Sequence, residues 1–300
     1  MRTRGDRRAA RATVPGYLLA LVIAAAFSAA CSGGSSPRPI ATAAPSADAG
    51  DAGATPFVEP LRAGTLRVFA AASLTDAFGE IATAFSAAHP GVDVTYNFGG
   101  SPTLRTQLEQ GARADVLAVA DQATMQAALD KQLVIDRGTT FANNRLVIIV
   151  PASNPAKITT PADLARPGVK LVLALAGVPA GTYARQSLAK MELDPAFGAG
   201  FEDHVLANVV SEEPNVKAVV TKVQLGEADA GIVYVTDVTP GVVADVGTIT
   251  LPDAYNVTAA YPIAVTRDAA RPDIADAFIR FVLSTEGQAI LRKYAFLPPK

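Results

Sequence analysis

The chain of 300 residues is half hydrophobic and carries 26 basic against 28 acidic side chains, a formal net charge of −2. That length exceeds one small domain and accommodates two, each with its own core. The near-neutral balance, with no basic stripe, argues against a nucleic-acid partner. Basic charge is concentrated at the start, in Arg2, Arg4, Arg7, Arg8 and Arg11. An apolar run from Tyr17 to Ala30 follows, too short for a spanning helix of about 20 apolar residues. A basic start, a short apolar stretch and small residues before a break describe a secretory signal over residues 1–30. Its removal takes five arginines and one acid with it, leaving the mature chain near −6. An acidic protein of that kind binds an anion by local geometry and not by its overall field.

Ser28, Ala29 and Ala30 run directly into Cys31, the only cysteine, so an intramolecular disulfide is excluded. Small-small-Cys after a signal resembles a lipoprotein box, with Ser28 where leucine is usual. The resemblance implies cleavage before Cys31 and its lipidation. One acyl chain holds a membrane weakly, so the box implies a multiply acylated cysteine. From Ser32 to about Pro60 the chain is rich in Ser, Gly, Pro, Ala and Asp. Such a stretch cannot bury enough surface to fold and reads as a tether, with Cys31 at its head and residues 31–63 as its extent.

Beyond the tether, strands and helices alternate. Leu66–Ala70 is a buried strand, followed by Leu74, Phe78, Ile81 and Phe85 at helical spacing. His89-Pro90-Gly91 stops that helix. Val92–Phe98 returns to a strand, and Gly99-Gly100-Ser101-Pro102 turns into a second helix, with Pro102 early in it and Gly111 past its end. Val116–Ala120 is a strand, and Asp121 caps the next helix. Leu146–Val150, Leu171–Ala176, Ile232–Val235 and Ile263–Thr266 read as strands. Thr182–Lys190, Val216–Gly226 and Ile274–Leu283 read as helices. The alternation predicts an α/β fold with mixed, mainly parallel sheets and helices on both faces.

Ligands in such folds sit where strands lead into helices. Four junctions qualify: Phe69-Ala70-Ala71-Ala72-Ser73-Leu74, Gly99-Gly100-Ser101-Pro102, Val178-Pro179-Ala180-Gly181-Thr182 and Glu213-Pro214-Asn215-Val216. The first turn of a helix leaves backbone N–H groups unpaired, and its dipole favours an anion. Small residues let a ligand approach those amides, Ser73 and Ser101 add hydroxyl donors, and no lysine or arginine stands at the centre of any of the four. The bland alternatives are a capping role for Ser73, a core role for Tyr234 and an ordinary turn at Ala180-Gly181. Arg105 and Arg113 read as surface residues, His89 as a helix end, and the isolation of His204 argues against a metal site. A serine hydrolase needs an acid and a histidine beside its serine, and the Gly-x-Ser-x-Gly elbow is absent.

Val68-Phe69-Ala70-Ala71-Ala72-Ser73-Leu74-Thr75-Asp76-Ala77 resembles the opening of periplasmic molybdate-binding proteins of ABC importers. The resemblance continues through Ser101-Pro102-Thr103-Leu104, Gly111 to Val116, Val178 to Ala184, Gly231-Ile232-Val233-Tyr234 and Tyr261 to Val265. It ends with Gly287-Gln288-Ala289 and Tyr294-Ala295-Phe296, so it covers nearly all of residues 65–297. It implies a two-lobed type II periplasmic-binding-protein fold, with 64–144 plus 259–300 as one lobe and 145–258 as the other. It implies a ligand held by the hydroxyls of Ser73, Ser101 and Tyr234 and the backbone amides of Ala180 and Val216. The ligand implied is molybdate, with tungstate as its near-equal, delivered to a permease and its ATPase. No resident cofactor, catalytic residue or bare metal ion is implied, and the protein is expected to be an exported monomer held to the membrane through Cys31. Another tetrahedral oxyanion such as sulfate, or an anion-sensing role, is the alternative. The chain departs from the family pattern at Leu175-Ala176-Gly177, where many relatives have Gly-Asp-Pro, and at Ala295, where glycine is usual.

Overall fold

A computed structural model describes residues 61–299. The expected signal segment, Cys31 and most of the tether lie outside the described residues. Among the described residues no helix is long and apolar enough to cross a membrane. The chain is held slightly before residue 64. Leu61 packs against the core, and the carbonyls of Arg62 and Ala63 each accept from the Arg271 guanidinium at 3.0 Å.

Two five-stranded sheets organise the molecule. The first contains β1 (Gly64–Ala71), β2 (Val92–Gly99), β3 (Val116–Ala118), β4 (Thr139–Asn144) and β10 (Ala259–Val265), in the order β2-β1-β3-β10-β4. The second contains β5 (Leu146–Pro151), β6 (Leu171–Ala174), β7 (Val209–Glu213), β8 (Ala230–Tyr234) and β9 (Val246–Thr250), in the order β7-β6-β8-β5-β9. In each sheet four strands run one way and one is reversed, β10 in the first and β5 in the second. The sheets are therefore mainly parallel in direction. Because the reversed strand lies one place in from the edge, it makes two antiparallel pairings in each. The chain leaves the first sheet at Asn144, enters the second at Leu146, and returns between Thr250 and Ala259. Asn256 clips the two passages together: its Oδ1 accepts from the Leu146 N–H at 3.0 Å and its Nδ2 donates to the Leu146 carbonyl at 2.9 Å.

The helices are α1 (Thr75–Ala88), α2 (Ser101–Glu109), α3 (Gln122–Asp130), α4 (Pro179–Glu192), α5 (Phe201–Ala207), α6 (Val216–Gln224), α7 (Pro272–Leu283) and α8 (Thr285–Lys293). Side chains alternate across a strand, and β1 shows the result. Leu66, Val68 and Ala70 join Phe78 and Phe85 of α1 and Phe278 of α7 in one cluster. Phe69 joins Leu104 and Leu108 of α2 and Met125 of α3 in another. Both faces of the first sheet are thus covered, as buried parallel strands require. On the second sheet, Val219 and Val223 of α6 close over Gly231 of β8.

Several elements differ from their sequence expectation. Helix α4 begins at Pro179 and not at Thr182, because proline's fixed φ and missing donor suit the first helical position. Strand β10 begins at Ala259, four residues before Ile263, and passes Pro262 through a register shift against β4, as proline in a sheet requires. Strands β3 and β6 end two residues early, giving their last positions to the turns that follow. Strands β4, β7 and β9 and helices α5 and α8 had no sequence expectation.

Ala295 takes φ +63° at the end of α8. The N–H of Phe296 bonds back to the Leu291 carbonyl at 3.1 Å, which forms the turn that glycine usually makes after a helix. Left-handed backbone costs an alanine roughly 1–2 kcal/mol, partly offset by the greater chain entropy that a glycine loses. Ala295→Gly should therefore raise stability by about 0.5–1 kcal/mol. The urea midpoint measures this, and a lowered midpoint would contradict it.

Candidate functional site

The four strand-to-helix junctions meet in the cleft between the sheets. At the first, β1 ends at Ala71 and a 3₁₀ turn over Ala72–Leu74 leads into α1. Ser73 is buried and makes no capping bond; its Oγ lies 2.8 Å from the Tyr261 hydroxyl. At the second, Gly100 precedes Ser101, the first residue of α2, and Ser101 Oγ accepts the Ala120 N–H at 3.1 Å. At the third, Val178 has extended backbone (φ −85°, ψ 137°) and Ala180 is the second residue of α4. At the fourth, the Asn215 side chain caps α6 by accepting the Ala218 N–H at 3.1 Å, and Val216 is the first helical residue. Helix starts at Ser101, Ala180 and Val216 carry amides that no helical carbonyl can reach.

Ser73, Ser101, Ala180, Val216 and Tyr234 all line one cavity, together with small residues such as Ala71, Ala72 and Gly99. It offers about 20 Å³ to the centre of a water-sized sphere, slightly above the roughly 10–15 Å³ that one water needs. A space of that size among small residues suits a compact ligand. Among the described residues no charged side chain lines it. Arg105 pairs with Glu109 on its own helix, and Arg105, Arg113, His89 and His204 all lie outside the lining. Among the described residues no cluster of His, Cys, Asp or Glu could hold a metal ion.

Tyr234, at the end of β8, is 1 % exposed, and its hydroxyl has no hydrogen-bond partner among the described residues. Burial pushes its pKa well above the ordinary phenol value, so it remains a neutral donor at physiological pH. A buried hydroxyl without a partner costs about 1–3 kcal/mol. Its position facing a cavity supplies the reason for tolerating that cost: an acceptor that enters the cavity satisfies it.

Two contacts across the cleft hold its walls together. Lys217, next to Val216, reaches Asp76 in the first turn of α1 at 2.7 Å and lies 3.8 Å from Asp237. Asp237 is fully buried, and its Oδ2 accepts the Tyr234 N–H at 3.0 Å. Burial pushes its carboxyl up to about 6, against the opposing pull of Lys217. The Lys217 charge is thus committed to carboxylates and does not face the cavity. The second contact is backbone on backbone. A Cβ on Gly100 would fall far inside van der Waals distance of the Pro214 carbonyl oxygen on the opposite wall. Gly181 is similarly required where α4 crowds the carbonyls of Ala174 and Leu175. The turn Leu175-Ala176-Gly177 carries no acid; its Ala176 carbonyl accepts from Thr182 Oγ1 at 2.6 Å.

Three residues of this site had no role assigned from the sequence. Tyr261 of β10, Asn144 at the end of β4 and Thr236 beyond β8 are buried and bonded to one another or to Ser73. They lie between 92 and 188 positions from their partners, beyond the reach of any local pattern.

Residues 66–297 match the model of the bacterial extracellular solute-binding protein family. The molybdate-binding protein ModA of Mycobacterium tuberculosis is 41% identical over 232 residues, 77% of this chain and 84% of that protein. Among solved structures, the periplasmic molybdate-binding protein of Azotobacter vinelandii has a TM-score of 0.69 at 19% identity, covering 78% of this chain and 100% of that one. The sulfate-binding protein SubI of Mycobacterium tuberculosis has a TM-score of 0.70 at 19% identity, covering 78% and 86%. These two likenesses establish the shared fold.

The Gly100 contact makes closure sensitive to one methyl group. Gly100→Ala should cost the closed arrangement about 1–3 kcal/mol, the usual penalty for overpacking. Small-angle scattering should then give a larger radius of gyration than wild type with unchanged circular dichroism. Superimposable scattering curves would show that this approach does not limit closure.

Proposed function

Since this chain belongs to the bacterial extracellular solute-binding proteins, we propose that it captures molybdate, and its close analogue tungstate, for an ABC importer. The observation that carries the reading is the buried, unpartnered Tyr234 hydroxyl in a cavity with two serines and three helix starts and no cation. Such a cavity suits a small, fully deprotonated oxyanion. Each charge-assisted hydrogen bond contributes roughly 1.5–3 kcal/mol, and helix-start amides act with the helix dipole behind them. The proposed donors are the hydroxyls of Ser73, Ser101 and Tyr234 and the amides of Ala180 and Val216.

Ser73 and Ser101 belong to the lobe we assign to residues 64–144 plus 259–300, and the other three to the lobe 145–258. An anion contacting both favours the closed state by its differential affinity for it. The closed pair of lobes then presents a joint surface to the permease, whose ATPase drives import. The protein acts as a monomer that carries its cargo without a resident cofactor or catalytic step. Residues 1–30 direct export, and the lipidated Cys31 holds the tethered protein to the outer face of the membrane.

Selectivity follows from size and from donor geometry. Molybdate and tungstate are nearly equal in size, while sulfate is smaller and leaves some donors out of reach. Calorimetric titration with molybdate, tungstate, sulfate and hydrogen phosphate tests the assignment. Tight binding of the first two with little sulfate binding is expected; equal or tighter sulfate binding would make this a sulfate protein. Ser73→Ala should weaken molybdate binding by about 1–3 kcal/mol, the cost of a lost hydrogen bond to a charged partner. Mass spectrometry of the mature N-terminus tests the anchor separately. It should find an acylated Cys31 as the first residue, and an unmodified cysteine there would refute the anchor.

A further inference from the structure

We infer that Tyr261 and Asn144 are positioning residues that fix the direction of the Ser73 hydroxyl hydrogen, making Ser73 a one-way donor to the bound anion. The inference rests on the oxyanion reading above and adds how the site distinguishes a bare oxyanion from a protonated one.

The direction follows from counting hydrogens. Asn144 Oδ1 accepts the Arg145 N–H at 2.9 Å, which settles which end of the amide is oxygen. Its Nδ2 then donates one hydrogen to Thr236 Oγ1 at 2.8 Å and the other to the Tyr261 hydroxyl at 3.3 Å. An amide NH₂ can only donate, so the Tyr261 oxygen is an acceptor in that contact. Tyr261 is fully buried, and Ser73 Oγ, 2.8 Å away, is the acceptor its hydroxyl meets at full hydrogen-bond distance, with the Tyr234 hydroxyl beside it but farther off. Were Ser73 the donor, the Tyr261 hydrogen would be left with only the Tyr234 hydroxyl, with which it makes no bond of ordinary geometry, an unfavourable state. The satisfied arrangement runs from Asn144 through Tyr261 to Ser73, so the Ser73 hydrogen is left for the cavity.

Ser101 reaches the same state by a shorter route. Its Oγ accepts the Ala120 backbone N–H at 3.1 Å, leaving its own hydrogen free. Both serines therefore have a donor fixed behind them and present hydrogen to the ligand. Molybdate, which brings only acceptors, suits that polarity. Hydrogen phosphate brings one O–H that meets a donor at either serine, leaving the Tyr234 hydroxyl as the one side-chain hydroxyl free to turn and accept it. The chain also crosses the molecule: Asn144 ends β4 of the first sheet, and Thr236 follows β8 of the second. One amide thus orients Ser73 and joins the two walls of the cleft.

Tyr261→Phe tests this, because it removes the donor behind Ser73 with little change in volume. Molybdate affinity should fall by about tenfold, one hydrogen bond to a charged ligand. Hydrogen phosphate, titrated at millimolar concentrations, should lose less or gain, since Ser73 is then free to accept. Thr236→Val is the comparison: it removes the other partner of the same amide and should lower the melting temperature without narrowing the preference for molybdate. Tyr261→Phe with wild-type molybdate affinity would overturn the inference. So would an equal loss for both anions, or a narrowing of the preference in Thr236→Val that matches Tyr261→Phe. Wild-type protein that fails to bind molybdate refutes the oxyanion reading itself, a different outcome from any of these.

Discussion

A helix start cannot satisfy its own amides, and this fold brings three such starts, with a 3₁₀ turn as a fourth junction, to one small cavity. Ordinarily those N–H groups face water or a capping side chain. At Asn215 a cap is present, yet it takes the Ala218 amide and leaves Val216 free. At Gly100 and Val178 no side chain caps the helix. Unfilled donors in a buried cleft are tolerated when an acceptor arrives to fill them. The small residues around them, the glycines where backbones approach closely and the absence of charged lining groups all follow from letting one compact acceptor reach many amides.

The same economy governs the walls. Among the described residues one ion pair crosses the cleft, Lys217–Asp76, and it is partly exposed, where such contacts contribute about 0–1 kcal/mol. Closure therefore does not depend on charge alone. Close backbone approach at Gly100 and Pro214, the buried bonds of Asn144 and the part-buried bonds of Asn256 set the geometry of the walls.

Much of the fold was legible because buried parallel strands and amphipathic helices leave strong periodic patterns. The runs from Leu66 and Leu146 and the spacing of Phe78, Ile81 and Phe85 identify their elements directly. The missed strands have weak patterns for physical reasons. Strand β4 reads Thr-Thr-Phe-Ala-Asn-Asn, and its asparagines are buried as hydrogen-bonding parts of the crossing. Strand β7 lies at a sheet edge and alternates toward solvent, and β9 is a half-exposed edge strand. The junctions with Ser73, Ser101, Ala180 and Val216 were legible as strand-to-helix turns, and they line one cavity together with Tyr234. Tyr261 stood inside a recognisable motif yet had no visible role, since its meaning lies in a contact with a serine 188 residues away.

A site built from dipoles has a shorter reach than one built from charges. The pull of a lysine or arginine falls slowly with distance, and an anion leaving such a site is followed by it. Neutral hydroxyls and amides fall off faster, and here they are divided between two walls. For the anion proposed here, parting the walls would remove most of the grip in one movement, with no proton transferred and no bond cleaved. Unloading on that proposal is a mechanical event: whatever pries the cleft apart would also empty it.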